Sequence, residues 1–352
     1  MVFLMIVLGI ETSCDETSAA IVSSEREILS NVLISQMDEH NIYGGVVPEV
    51  GARAHLEVLE TIISQALQQA NLTLDSLDGV AVTAGPGLIG GVFVGITMAK
   101  AIAAAKKLPF LAVNHLAGHA LTVRLSEPLD FPYLLLLVSG GHSQLVIVKS
   151  ALEYLLLGTT LDDAVGEAFD KVAKILKLSY PGGPSIERLA SLGNSKRFKL
   201  PRPLLQHKDI SLKCSFSFSG LKTAVRQEVA QLASFQEDDQ RDMAASFQTA
   251  VLDILVNRSH NALEFCLDQK IPLNAFVVGG GVGANQALRK ALQETSEALG
   301  IKFIAPPPNL CTDNAAMIAW AGIEKLQLNA VDSLDFAPRP RWPLESIKGE
   351  NQ

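Results

Sequence analysis

The sequence has few cysteines and no cysteine pair. Its four cysteines are scattered at Cys14, Cys214, Cys266 and Cys311, with no CxxC spacing. This pattern is typical of free thiols in a reducing compartment. We therefore expect a cytoplasmic protein.

Positive charge is also scarce. The 29 lysines and arginines are outnumbered by 37 acidic residues, which gives a formal net charge of -8. This balance argues against strong non-specific binding to nucleic acid or membranes, although it leaves room for a local basic face. The densest basic cluster comprises Lys196, Arg197, Lys199 and Arg202, and a shorter one comprises Arg339 and Arg341.

Long hydrophobic runs are absent too. No uninterrupted apolar run reaches the ~18 residues of a membrane helix, so we expect no membrane association. The apolar N-terminus, MVFLMIVLGIETSCDE, has no basic segment or cleavage-like site before its acidic residues. A buried first strand explains it better than a signal peptide.

One pattern occurs twice in this chain of 352 residues. Residues 4–22, LMIVLGIETSCDETSAAIV, and residues 133–148, YLLLLVSGGHSQLVIV, each contain two apolar β-rich runs around a short polar turn. Each predicts a β-hairpin whose turn presents backbone N–H groups and small polar side chains.

A strand, a glycine loop and a helix are expected after each hairpin, over residues 79–105 and 275–294. Glycines let the backbone approach a ligand closely, and the N-terminus of the following helix favours an anion. Two matching copies predict two similar α/β lobes around a central cleft, the architecture of the actin-like ATPase (ASKHA) fold. The predicted domains are an N-terminal lobe over 1–130, a C-terminal lobe over 131–330 and a Pro-rich tail over 331–352.

Other segments are helical or irregular. Residues 193–218 lack periodicity and predict a surface loop or insertion. Two apolar stripes at helical spacing predict the core faces of helices. They comprise Leu56, Leu59, Ile63 and Leu67 in the first, and Met243, Phe247, Val251 and Leu255 in the second.

Two histidines stand four residues apart in NHLAGHA. On a helix, His115 and His119 would share one face and could both reach one metal ion. Asp313, in PPPNLCTDNAAM, could complete a two-His-one-carboxylate set, the usual layout for Fe²⁺ and a possible one for catalytic Zn²⁺. A purely structural histidine pair is the alternative.

Ten motifs occur in one order between residues 9 and 319. They are GIETSCDET (9–17), GGVVPEVGARAH (44–55), GPGLIGGVFVG (85–95), VNHLAGHA (113–120), VSGGHSQL (138–145), DDAVGEAFDKVAK (162–174), YPGGPSIE (180–187), FSFSGLKTAV (216–225), GGGVGANQALR (279–289) and CTDNAAMIA (311–319). Through them the chain resembles, nearly end to end, the universal tRNA N6-adenosine threonylcarbamoyltransferase family, once described as glycoproteases. Its compact form resembles the bacterial or organellar branch.

The resemblance implies a reaction and a set of sites. The threonylcarbamoyl group would pass from threonylcarbamoyl-AMP to N6 of adenosine 37 in tRNAs that read codons starting with A, and AMP would leave. His115, His119 and Asp313 would hold one divalent metal, usually Fe²⁺, with Zn²⁺ as the alternative. The implied substrate-binding residues are Val138, Ser139, Gly140, Gly141, His142, Asp170, Gly183, Glu187 and Asn285. Glu187 departs from many relatives, which have Asp there, and its extra methylene can alter the contact with the ribose.

The resemblance also implies partners. Besides tRNA and threonylcarbamoyl-AMP, these are a paralogue that lacks the metal site and a small P-loop ATPase. Because the chain is acidic, we expect modest tRNA affinity for the chain alone and a higher affinity with its partners.

Several carboxylates and amides have two interpretations. We predict that Asp15, or Glu16 beside it, accepts a proton from the attacking amine or orients it, although such a residue could merely stabilise a turn. Asp170 could bind ribose hydroxyls or pair with Lys174 on a helix. Asn285 could contact the nucleotide or cap a helix.

Other functions remain open. An ATPase or kinase of the same fold would keep the glycine loops but have no use for the histidine pair, and a non-catalytic scaffold would need neither. A zinc protease does not fit, because HLAGH has no Glu beside its first His, where the protease helix carries its general base.

Overall fold

The computed structural model describes residues 4–36, 47–207 and 209–347. The chain divides into two compact units. The first unit comprises Met1–Pro128, Ser150–Tyr154 and Thr312–Gln352, and the second comprises Leu129–Lys149 and Leu155–Cys311. Residues 44–46 and 348–352, which begin one motif and end the predicted tail, lie outside the described residues.

The first unit contains a five-stranded mixed sheet. Its strands are β1 (Ile6–Glu11), β2 (Glu16–Ser23), β3 (Ile28–Ser35), β4 (Gly79–Gly85) and β5 (Phe110–Asn114). They lie in the order β3-β2-β1-β4-β5, with β1 antiparallel to β2 and parallel to β4. The β1–β2 pair confirms the first predicted hairpin.

A second five-stranded sheet lies mostly in the second unit. Its strands are β6 (Tyr133–Val138), β7 (Ser143–Ser150), β8 (Glu153–Thr159), β9 (Phe276–Gly279) and β10 (Phe303–Ile304). The order β10-β9-β6-β7-β8 repeats that of the first sheet, again with a hairpin (β6–β7) beside a parallel pair (β6–β9). The predicted repeat is therefore confirmed at the level of topology.

Helices accompany both sheets. The first unit contains α1 (Pro48–Gln69), α2 (Ile89–Lys106), α3 (His115–Ser126) and α9 (Ala315–Gln327). The second contains α4 (Val165–Ile175), α5 (Gly182–Ala190), α6 (Ser219–Gln231), α7 (Glu237–Asp268) and α8 (Gln286–Ala298). The strand–glycine loop–helix order that was predicted twice is confirmed as β4–α2 and β9–α8.

Helix α9 groups with the first unit, although the sequence placed its residues in a C-terminal lobe over 131–330. Glycine at two positions allows this helix to lie directly on the first sheet. A Cβ atom at Gly9 of β1 would lie 2.2 Å from the carbonyl oxygen of Ala315, and one at Gly322 would lie 2.5 Å from Cβ of Ala81. The backbones of strand and helix are thus almost in contact, and a larger residue would separate them.

The structure confirms the prediction for one apolar stripe and only part of the prediction for the other. The stripe on α7 is buried along its whole length, from Met243 to Leu255, as predicted. On α1, Leu59 and Ile63 are buried, but Leu56 is 69% exposed, so the prediction for that residue is wrong. The period locates a helix face but cannot fix how far the core extends around it.

Helix α2 is long and apolar enough to cross a membrane by length and composition alone. Counting uninterrupted apolar residues misses it, because Thr97 and Lys100 interrupt the run. The helix packs against its neighbours through small residues: a Cβ at Gly91 would lie 2.2 Å from the carbonyl oxygen of Thr12, and one at Gly95 would lie 2.3 Å from the hydroxyl of the same residue. One face of the helix therefore packs closely against the segment that follows β1.

Two segments are irregular, as predicted. The described part of residues 193–218 contains a short 3-10 turn, Ile210–Leu212, and a single β-bridge from Phe216 to Thr160, and it is anchored by the buried side chains of Phe198 and Phe216. The tail is anchored by Trp342, which is buried and contacts the tilted ring of Phe336, with ring centroids 5.5 Å apart.

Candidate metal centre and substrate loops

The predicted metal ligands meet at the ends of two helices in the first unit. Asn114 caps α3 by accepting hydrogen bonds from the N–H groups of Leu116 and Ala117, so His115 begins the helix and His119 follows one turn later. Asn314 caps α9 in the same way, and Asp313 directly precedes it. Side-chain capping therefore fixes both helix starts from which the three ligands project.

Both histidine side chains point to the same carboxylate oxygen of Asp313. Oδ1 of Asp313 lies 3.0 Å from Nε2 of His119 and 3.5 Å from Nε2 of His115. One donor atom from each residue lies within 4.8 Å of the others. The i,i+4 spacing and the distant carboxylate thus come together as the sequence predicted.

This donor set fits a divalent metal ion. Ligand atoms about 2.1 Å from one ion lie roughly 3.0 to 3.4 Å from each other in octahedral or tetrahedral coordination. The two Nε2–Oδ1 distances, 3.0 and 3.5 Å, are close to that range. Two imidazoles and a carboxylate suit Fe²⁺ and Zn²⁺, and three protein ligands leave coordination positions open.

The charges of these groups shift each other's pKa values. Burial lowers the pKa of His115, but the carboxylates of Asp313 and Glu11 outweigh it and raise that pKa well above 6.5. Burial raises the pKa of Asp313, but His115 and His119 outweigh it and hold that pKa well below 3.8. A divalent cation would take the place of the imidazolium proton, because a metal-bound histidine is neutral.

The sequence prediction missed one member of this cluster, Glu11. It is the last residue of β1, it is 1% exposed, and its Oε2 lies 3.0 Å from Nδ1 of His115. In the sequence it is part of the motif GIETSCDET, directly after the first apolar run. A charged residue closing an otherwise apolar buried strand is the signal that could have identified it.

Asp15 ends the turn of the β1–β2 hairpin, and Glu16 is the first residue of β2. The carbonyl of Asp15 accepts a hydrogen bond from the N–H of Gln36 (2.8 Å), and Nε2 of His55 lies 3.1 Å from the carbonyl oxygen of Cys14. Burial, the charge of Asp313 and the neighbouring Asp15 raise the pKa of Glu16 to about 10. The backbone of this turn is therefore fixed, and Glu16 keeps its proton at neutral pH in this state.

The turn of the second hairpin is formed by residues 139–142. The N–H of Ser139 donates to the carbonyl of His142 (2.8 Å), and the N–H of His142 approaches the Ser139 hydroxyl (3.2 Å). Val138, before the turn, is buried. Added Cβ atoms at Gly140 and Gly141 would meet no atom within 4 Å. The contacts between Ser139 and His142 therefore close the turn, and the space beside its two glycines is open.

Asp170 and Gly183 lie near the start of α5. Oδ1 of Asp170, on α4, accepts a hydrogen bond from the N–H of Gly182 (2.8 Å). A Cβ at Gly183 would meet nothing within 4 Å, whereas one at Gly182 would lie 2.7 Å from Cα of Asp170. The helix predicted for Asp170 is confirmed, and its carboxylate lies at the N-terminal end of the next helix.

Glu187 and Asn285 meet at the start of α8. Oε1 of Glu187 accepts a hydrogen bond from the N–H of Gln286 (2.7 Å). Asn285 caps α8 by accepting from the N–H of Leu288 (2.9 Å), and its Nδ2 donates to Gln248 (3.0 Å). The capping role considered for Asn285 is therefore present in the structure.

Half of the larger predicted basic cluster is already paired with acids. Arg197 forms ion pairs with Asp239 and Asp242, and Arg202 forms one with Asp253 at 2.8 Å. Lys196 and Lys199 lie in the same segment and are exposed. The cluster that the sequence suggested as a basic surface thus carries less net positive charge than its composition implies.

Comparisons with known proteins agree with one another. A family model described as TsaD: tRNA N6-adenosine threonylcarbamoyltransferase matches residues 27–320. The chain is 56% identical over 346 residues to the tRNA N6-adenosine threonylcarbamoyltransferase of Methylocapsa acidiphila, covering 97% of each protein. It is 57% identical over 347 residues to the protein of that name from Brucella canis, covering 97% of this chain and 96% of the relative.

Solved structures extend the agreement to the fold. The crystal structure of T. kodakarensis HypF superposes with a TM-score of 0.58 at 14% identity, over 93% of this chain and 48% of HypF. At that identity the likeness concerns the fold alone. The α/β actin-like ATPase fold predicted from the sequence is confirmed.

Proposed function

The chain belongs to the tRNA N6-adenosine threonylcarbamoyltransferase family, and from this premise we propose the details of its reaction. The family makes it a tRNA-modifying acyltransferase. The proposed donor is threonylcarbamoyl-AMP, the proposed acceptor is N6 of adenosine 37 in tRNAs that read codons starting with A, and AMP leaves. The observation that carries a metal-dependent reaction is the convergence of His115, His119 and Asp313.

The chemistry requires orientation more than activation of the donor. The N6 amine attacks the carbonyl carbon of a mixed anhydride, the bond from that carbon to the phosphate oxygen breaks, AMP leaves with the electron pair, and N6 loses a proton. The amine is a poor nucleophile and AMP is a good leaving group. The protein must therefore hold the two reactants and stabilise charge on carbonyl and phosphate oxygens.

The first unit would hold the metal ion and take the proton. His115, His119 and Asp313 would bind one divalent ion, Fe²⁺ or alternatively Zn²⁺. Such an ion supplies Lewis-acid polarisation of a carbonyl or phosphate oxygen. Asp15, or Glu16 beside it, would accept the proton from N6 or orient the amine.

The second unit would hold the adenylate. The turn Ser139–His142 closes through hydrogen bonds at its two ends, so the N–H groups of Gly140 and Gly141 remain available to substrate oxygens. The open space at Gly183 and the carboxylate of Asp170 support a nucleotide site at the start of α5. Glu187, on α5, and Asn285, which caps α8, would complete that site.

We propose two protein partners, a paralogue that lacks the metal site and a small P-loop ATPase. An apolar surface on α1 and α2 supports the first: Leu56, Ile89 and Phe93 are 69%, 52% and 58% exposed. Large apolar side chains grouped on neighbouring helices are typical of interaction surfaces. A tRNA substrate and four free cysteines support a cytoplasmic location.

Mass spectrometry of nucleosides tests the proposal. Unmodified tRNA is incubated with threonylcarbamoyl-AMP, both partners and either wild type, a His115→Ala/His119→Ala variant or a His207→Ala/His260→Ala control outside the site. Threonylcarbamoyladenosine with wild type and control, and none with the first variant, is expected. Product from all three proteins would refute the metal-dependent reaction, and product from none, with ATP hydrolysis intact, would favour an ATPase or a scaffold.

A further inference from the structure

Glu11 contacts the metal-binding histidine from the side opposite Asp313. Its Oε2 lies 3.0 Å from Nδ1 of His115 and accepts a hydrogen bond from the hydroxyl of Thr83 (2.5 Å). Its Oε1 accepts a hydrogen bond from the N–H of Ser13 (2.6 Å). Both carboxylate oxygens are therefore fixed by the protein, and Glu11 is 1% exposed.

These contacts determine which nitrogen of His115 would keep its proton when a metal ion binds. An ionised carboxylate can only accept hydrogen bonds, so the Nδ1 atom that faces Glu11 is the donor. Nε2, on the other side of the ring, lies 3.5 Å from Oδ1 of Asp313 among the proposed ligands, so it is the nitrogen that would give up its proton to a metal ion. His119 has no comparable acceptor, because its buried Nδ1 lacks a hydrogen-bond partner among the described residues.

We propose that Glu11 is a positioning residue for the metal ion, which holds His115 in the tautomer and orientation that present Nε2 to the metal. This inference rests on the proposed metal site. Glu11 also balances charge: two neutral imidazoles and Asp313 leave a divalent ion with one unmatched positive charge, and Glu11 supplies the missing negative charge. A carboxylate behind a metal-bound histidine is a recurrent device for orienting the ring and raising its basicity.

The substitution Glu11→Gln separates this role from packing. Glutamine has nearly the same shape, but one end of its amide donates. The backbone N–H of Ser13 requires the amide oxygen, which turns the NH₂ group toward Nδ1 of His115. His115 must then accept at Nδ1 and carry its proton on Nε2, where it blocks the metal.

Metal binding to the full-length chain tests the proposal without any assay of activity. Zn²⁺ affinity is measured by competition with a chelator, and the absorption spectrum of the Co²⁺ form reports the coordination geometry. We expect Glu11→Gln to weaken binding about 10- to 100-fold and to change the Co²⁺ spectrum. Glu324→Gln is the matched control: Glu324 is also buried in the first unit but pairs with Arg124, so it should lower stability without lowering metal affinity.

Two further variants distinguish the alternatives. Thr83→Val, which removes one hydrogen bond to Glu11 and nearly conserves shape, should weaken metal binding several-fold and serves if Glu11→Gln does not fold. Ser13→Ala tests the hydroxyl that lies 3.2 Å from Nδ1 of His115, and we expect a smaller effect than for Glu11→Gln.

The outcomes are separable. Wild-type affinity and spectrum in both Glu11→Gln and Thr83→Val would overturn the role of Glu11 and leave the metal site standing. A Ser13→Ala loss larger than that of Glu11→Gln would assign the role to Ser13. If the His115→Ala variant binds Zn²⁺ as tightly as wild type does, both the metal site and this inference would be overturned.

Discussion

Oδ1 of Asp313 lies 3.0 Å from Nε2 of His119, although 194 positions separate the two residues. The contact joins the start of one helix to the first turn of another, and each helix start is fixed by an asparagine cap. The proposed metal site therefore depends on Asp313 as much as on the histidine pair.

We expect Asp313→Asn to lower Zn²⁺ affinity by a factor on the order of 100 or more, because it replaces an anionic ligand with a neutral amide. Metal content after dialysis and chelator competition measure this. Asp335→Asn, an exposed aspartate in the first unit, is the control and should bind as wild type does. Equal affinities of the two variants would remove Asp313 from the ligand set.

We expect Asp15→Asn to reduce turnover by about 10²- to 10⁴-fold while the Kd for threonylcarbamoyl-AMP changes little, because a base acts in the transition state and not on the bound donor. Single-turnover rates and equilibrium binding, measured on one preparation, separate the two effects. A parallel loss of binding and rate would mean that Asp15 holds the substrate or the turn.

Two adjacent glycines should respond oppositely to alanine. Gly183→Ala should leave the melting temperature unchanged but weaken AMP binding about tenfold or more, because its Cβ would enter the open space proposed for the nucleotide. Gly182→Ala should cost roughly 1–3 kcal/mol of stability, because its Cβ would lie 2.7 Å from Cα of Asp170. Thermal unfolding and AMP titration check both. Unchanged AMP affinity in folded Gly183→Ala would move the nucleotide site elsewhere.

Asp162 should make stability depend on pH in the acid range. Burial raises its pKa, but hydrogen bonds from Ser217, Phe218 and Ser219 outweigh this effect and hold the pKa below 3.8. A lowered folded pKa means stabilisation that is complete above the unfolded value near 3.8 and is lost as pH falls through the folded value.

Asp162→Asn should therefore cost about 1 kcal/mol at pH 7, a modest figure because the carboxylate is partly exposed, and the difference from wild type should shrink below pH 4. Urea unfolding across pH measures it. Exposed Asp268, at the end of α7, provides the control Asp268→Asn. A constant difference between wild type and Asp162→Asn down to pH 3 would contradict the lowered pKa.

Because Arg197 and Arg202 form ion pairs with acidic residues, we expect the tRNA contacts of this segment to come from its lysines. Lys196→Glu/Lys199→Glu should weaken binding and reduce the slope of log affinity against log salt by about 2. Arg202→Ala/Asp253→Ala removes an ion pair without changing net charge, so it should change the slope little. Filter binding over a salt series compares them. Equal slopes for the wild type and the lysine variant would exclude this segment from the tRNA surface.

Local patterns predicted most of the fold. The apolar runs and turn residues predicted both hairpins, and the glycine loops predicted the strand–loop–helix units β4–α2 and β9–α8. The i,i+4 spacing identified the histidine pair. Each of these signals is contained in a short stretch of sequence. The position after the glycine loop likewise anticipated the cap at Asn285.

Long-range contacts could not be predicted from such windows. Glu11 was not recognised as part of the candidate site, because its partner His115 is 104 positions away. Arg197 looked like a free cation because Asp239 and Asp242 lie on a distant helix. Leu56 fits the helical period but is exposed, because the period alone does not show how much of the helix surface the core covers.

Gly9 and Ala315 belong to the first and last of the ten motifs and lie close together, so the residue at position 9 limits where the last motif can lie. A side chain at position 9 would push α9 away from β1, and Asp313, two residues before Ala315, would move with it. Position 9 should therefore remain glycine, because the atom that it faces at Ala315 is a backbone oxygen that no substitution removes. A substitution of Gly9 would thus disturb the proposed metal ligands, although Gly9 is not one of them.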